Sequence, residues 1–102
     1  MDMQKMIKQA QQAQAQMVAM QDELATETVD ASAGGGMVKV TMTGAQELVS
    51  VKIDPEALDP EDVELLEDMI VAAVNEAARS AGELANVKMQ AITGGMNIPG
   101  LM

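Results

Sequence analysis

Met37-Val38-Lys39-Val40-Thr41-Met42-Thr43-Gly44-Ala45-Gln46-Glu47-Leu48-Val49-Ser50-Val51-Lys52-Ile53-Asp54-Pro55 decides the fold. From Val38 the residues alternate: Val38, Val40 and Met42 share one side while Lys39, Thr41 and Thr43 share the other, as a half-buried strand requires. Gly44-Ala45 supplies a turn, and the chain returns through a second strand with Val49, Val51 and Ile53 expected inward. Asp54-Pro55 ends that strand, because proline restricts the residue before it and has no amide hydrogen for a ladder. Upstream, Thr28 to Ala33 can form a third strand, separated from Met37 by Gly34-Gly35-Gly36. A meander of three antiparallel strands is the expected sheet.

Helices flank it on both sides. From Met3 the apolar residues Met3, Met6, Ala10, Ala13, Met17, Met20 and Leu24 recur at alternating steps of three and four, a heptad stripe on a helix expected to stop near Thr26 to Thr28. Its other faces are glutamine and alanine, both good helix formers. After the sheet, Asp59 is the expected N-cap, with Pro60 at the first helical position. Val63, Leu66, Ile70, Ala73, Ala77, Leu84, Val87 and Ala91 then keep the same spacing, with Ser80 filling one gap. Gly94-Gly95 is expected to end this helix, leaving residues 93–102 as a flexible tail to a single domain spanning 1–102. The fold class is α+β, in the order helix, three strands, helix. Both helices should overhang the sheet as a two-helix arm, carrying Lys5, Lys8 and Lys88 near its tip with the acidic residues at its base.

Composition excludes much chemistry. The chain has 102 residues and no histidine, cysteine or aromatic side chain, so the usual general base, the thiolate zinc ligand and the disulfide are all missing. Ser32, Ser50 and Ser80 have no base to activate them, and Gly34-Gly35-Gly36 is followed by a strand instead of the Gly-Lys-Ser/Thr and helix of a phosphate loop. No catalytic residue, metal ligand or cofactor site is expected. There is no apolar run long enough for a signal peptide or a membrane span, which points to the cytosol and to no membrane partner. A small core without rings, together with two exposed helical seams, predicts a homodimer.

The net charge of −10 is unevenly spread, with eight carboxylates and no base between Asp54 and Asp68. Both ends of the chain are close to neutral. Lys5 and Lys8, three apart on one helix turn, could touch phosphates together; Lys88 ranks next, and Arg79 lies roughly opposite it around the helix. The acidic run suits helix capping and repulsion of wrong partners better than calcium, since the spaced Asp/Asn loop of a calcium site is absent.

The string Gly35 to Gly44, then Val51-Lys52-Ile53-Asp54-Pro55, then Leu66-Glu67-Asp68-Met69-Ile70-Val71-Ala72-Ala73-Val74-Asn75-Glu76-Ala77, resembles the YbaB/EbfC family of bacterial nucleoid-associated proteins. Lys8-Gln9-Ala10-Gln11 near the start and Gly94-Gly95-Met96-Asn97-Ile98-Pro99-Gly100-Leu101 at the end extend the resemblance over essentially the whole chain. It implies a tweezers-like homodimer of the nucleoid whose helical arms project from a sheet body, which binds double-stranded DNA and alters its conformation, with no catalysis, no cofactor and no small-molecule substrate. DNA contacts are expected at Lys5, Lys8, Lys88 and Arg79, through backbone and shape. The competing expectation is a protein-binding adaptor or assembly factor that grips its partner with the Met/Ala arms.

Overall fold

The computed structural model describes residues 2–96. The element order is α1 (Met3–Thr26), β1 (Thr28–Ala33), β2 (Val38–Thr43), β3 (Leu48–Ile53), a short 3-10 helix at Pro55–Ala57, and α2 (Val63–Met96). The strands form one antiparallel sheet in the order β1-β2-β3. This is the α-β-β-β-α arrangement expected from the alternation of Val38 to Ile53.

Each turn has a local cause. Gly34, Gly35 and Gly36 all take positive φ, which side chains disfavour, and so close the β1–β2 hairpin; a Cβ on Gly34 would also run into Met69 Sδ on α2. Thr43 closes the β2–β3 turn. Its amide donates to the Glu47 carbonyl at 2.8 Å, and its hydroxyl accepts from the Glu47 amide at 3.1 Å.

Pairing of Val38 with Ile53, Lys39 with Lys52, Val40 with Val51 and Thr41 with Ser50 sorts the sheet into two faces, with an irregularity between Thr41 and Met42. α2 packs along β1 and β2 on the face that carries Val38, Val40 and Met42. Ala73, Ala77 and Ala81 let it approach closely, and all three are fully buried. Val38 and Val40 are the largest fully buried side chains, each contributing about 1.5–3 kcal/mol through lost water contact.

The expected inward set of β3 is only partly covered. Ile53 packs on the core, but Val51 remains 38% exposed because α2 lies over β1 and β2 and stops short of the third strand, and Val49 is 58% exposed at the register shift that pairs Leu48 with Met42. The α1 stripe differs more. Met20 and Leu24 are buried, whereas Met3 and Met6 are 75% and 53% exposed. Among the described residues, α1 is buried only toward its C-terminal end, where it meets α2 and the end of β2. Val63 and Val87 of the α2 stripe also stay exposed.

The second helix starts and ends later than its sequence signals suggest. Asp59 accepts from the Glu61 amide at 2.9 Å in a turn, and Asp62 takes the N-cap position instead, accepting from the Leu65 amide at 3.3 Å. Asp54 likewise accepts from the Glu56 amide at 2.9 Å as the 3-10 helix begins. The acidic run thus supplies three successive side-chain acceptors for backbone amides that lack partners at helix and turn starts. α2 does not stop at Gly94-Gly95 but runs to Met96, since glycine costs a helix only about 1 kcal/mol and blocks no hydrogen bond. The rest of the expected tail, 97–102, lies outside the described residues.

Candidate nucleic-acid interface

The two helices run together from Gly44 outward. A Cβ placed on Gly44 would lie 2.6 Å from Leu24 on α1 and 3.1 Å from Leu84 on α2, so both helices converge on this turn. The opposite end of the sheet holds the Gly34 turn, Met69, and the acidic segment leading into α2. The carboxylates of 54–68 therefore lie across the sheet from the helical arm rather than at its base, because α2 must traverse the whole sheet before it reaches α1. In a molecule 70 Å long this separates the acid from the N-terminal lysines.

The chain's six cations occupy four places. Lys5 and Lys8 lie in the first turns of α1, exposed and, among the described residues, without an ion pair. Arg79 pairs with Glu76 at 3.0 Å, one helix turn away on the same face. Lys88 is held between two carboxylates of α1, 3.1 Å from Glu23 and 3.1 Å from Glu27, with its side chain only 20% exposed. Donating hydrogen bonds to the Glu23 carboxylate, and then to that of Glu27, holds its ammonium above the ordinary lysine pKa. Lys88 thus sits near the root of α1, away from the tip where sequence spacing places it. It ties the helices together, since a position 25 residues beyond the start of α2 is still alongside the last turns of α1.

Lys39 and Lys52 are the remaining pair. They are direct cross-strand neighbours on the sheet face turned away from α2, and sequence reasoning does not select them. The signal is present nonetheless: outward alternation on both strands, plus the short turn between them, fixes their register. Only the charge count along the chain obscures them, because each lysine stands alone in its own strand.

Among the described residues no group of three or more acidic side chains is placed to hold a metal ion, and no helix is long and apolar enough to cross a membrane. The arrangement is a small α+β body, a projecting helix with an exposed basic tip, and charge segregated between its ends. The chain belongs to the YbaB/EbfC DNA-binding family, whose match covers residues 1–96, and its members are non-enzymatic. It is 56% identical over 96 residues to a nucleoid-associated protein of Thermoanaerobacter pseudethanolicus, covering 94% of this chain and 86% of that protein. A nucleoid-associated protein of Moorella thermoacetica is 57% identical over 99 residues, covering 97% and 95%. The crystal structure of an uncharacterized protein from Helicobacter pylori has the same fold, with a TM-score of 0.76 at 26% identity, covering 91% of this chain and 96% of that one.

Proposed function

We propose that the chain works as a homodimer at the bacterial nucleoid, in the cytoplasm, binding double-stranded DNA through backbone and shape and altering its conformation. Membership of the DNA-binding family supports the partner. The observation that carries the mode of binding is the separation of charge: Lys5 and Lys8 project on the free end of α1, with the acidic run across the sheet from them. Lys8 and Lys5 are the proposed phosphate contacts. Lys88 and Arg79 are weaker ones, since each would have to leave a carboxylate partner. Few arginines and no aromatic rings favour contact with the backbone over base reading or stacking.

The dimer rests on unburied apolar surface. Met3 and Met6 on α1, and Val49 and Val51 on β3, are exposed in one chain, apolar surface that a second copy can cover. Light scattering at micromolar concentration should give twice the monomer mass, and a duplex gel-shift titration over a salt series should show affinity falling steeply with salt. Absence of duplex binding at low salt, with the helical content intact, would replace this reading with a protein-binding adaptor.

A further inference from the structure

We propose that the open face of the sheet is a second contact surface for the DNA phosphate backbone, centred on Lys39 and Lys52. This rests on the DNA-binding reading and extends it to a surface distant from the α1 tip. The strand register places two rows across all three strands on the face away from α2: Ser32, Lys39 and Lys52 in one, Asp30, Thr41 and Ser50 in the next. The same six residues line a shallow concavity of about 420 Å³. On the other face, Ala31, Val40 and Val51 form an apolar row, so the pleat separates these two rows of polar side chains from the core, with Ala31 and Val40 also reaching the floor of the concavity.

Three features give this surface its affinity for phosphate. Lys39 and Lys52 are directly opposed, and like charges in that position repel across a sheet. An anion bound between them removes the repulsion. Neither ammonium is tied up among the described residues: the Asp30 carboxylate on the same face is engaged by the Thr41 hydroxyl at 2.8 Å and forms no ion pair with either lysine. The Ser32 and Ser50 hydroxyls flank them and can donate to phosphate oxygens, as such side chains do along a duplex. Because both lysines are fixed on adjacent strands, the surface is already shaped before contact.

The test uses the full chain and a mixed-sequence DNA duplex. Affinity is titrated over a salt series for the wild type, for Lys39→Gln with Lys52→Gln, for Lys39→Arg with Lys52→Arg, and for Lys5→Gln with Lys8→Gln. The glutamine pair at 39 and 52 is expected to lower the slope of log affinity against log salt by about 1.8 for each protomer whose sheet face is engaged, and the arginine pair to retain it. Thermal stability of the glutamine pair should be equal or higher, since the repulsion is gone, which separates a lost contact from a damaged fold. Lys39→Thr with Lys52→Thr serves as a second neutral pair, because threonine suits a strand. Wild-type affinity and slope in both neutral pairs would overturn the surface while leaving DNA binding in place. A wild type that binds no duplex would overturn both.

Discussion

Gly44 lies directly beneath Leu24. Its amide donates to the Glu27 carbonyl at 2.9 Å, and any Cβ there would stand 2.6 Å from a Leu24 methyl and 3.1 Å from the Leu24 carbonyl oxygen. The end of α1 is therefore set on the sheet by the absence of one carbon atom.

Gly44→Ala is expected to destabilise the chain by about 1–3 kcal/mol, the usual cost of forcing extra volume into a packed site. The α1 backbone must retreat, since a carbonyl oxygen cannot rotate away as a side chain does. Urea unfolding followed by far-UV circular dichroism would measure it. An unchanged midpoint would show that α1 is not seated here.

Gly82→Ala should have the opposite effect. Gly82 is exposed within α2, its φ is ordinary for a helix, and an added Cβ would meet only Gln46 Nε2, at 3.9 Å. A gain of up to about 1 kcal/mol follows from helix propensity and the narrowed unfolded state. Loss of stability would mean that the Gln46 side chain, which donates to the Ala78 carbonyl at 3.2 Å, had been displaced.

Lys88→Met should loosen α1 from α2 at neutral pH and do nothing in strong base. Because Glu23 and Glu27 raise the Lys88 pKa, its stabilising contribution is complete below the ordinary lysine value of 10.5 and fades as pH climbs through the raised value. The melting temperatures of wild type and variant should therefore differ slightly at neutral pH and converge in that alkaline range. A difference that persisted there would assign it to the lysine stem's packing.

Glu64→Gln with Glu67→Gln is expected to strengthen duplex binding at low ionic strength and to have little effect at physiological salt. The two carboxylates lie at the start of α2, across the sheet from Lys5 and Lys8, beyond the screening length of about 8 Å. A salt series would reveal it. Equal gains at every salt concentration would indicate direct contact between this segment and DNA.

The strands were legible because their alternation is strict and glycine marks each turn: Val38, Val40 and Met42 face inward as read. β3 was half legible. Val51 lies on the apolar side of the pleat opposite Val40, but one sequence cannot say that a helix wide enough for two strands leaves a third uncovered, nor that a register shift pairs Met42 with Leu48 in place of Val49. Asp59-Pro60 imitates a helix start, and only the competition among three nearby aspartates assigns the cap to Asp62. For the cations, spacing correctly pairs Lys5 with Lys8 on one turn. It could not reveal that Lys88 meets Glu23, 65 positions away, or that Lys39 faces Lys52 across a hairpin. Charge recognition depends on such tertiary neighbours, whereas secondary structure is largely written locally.

Among the described residues, positions 3–12 of α1 are all exposed, and a helix of that length without packing is near the limit of stability in water. Its amide protons should exchange with solvent far faster than those of Val38 to Met42, at rates set by fraying instead of global opening. Compliance is thereby concentrated in one segment, and α1 can bend to follow a curved or twisted surface while the sheet that anchors it keeps its shape.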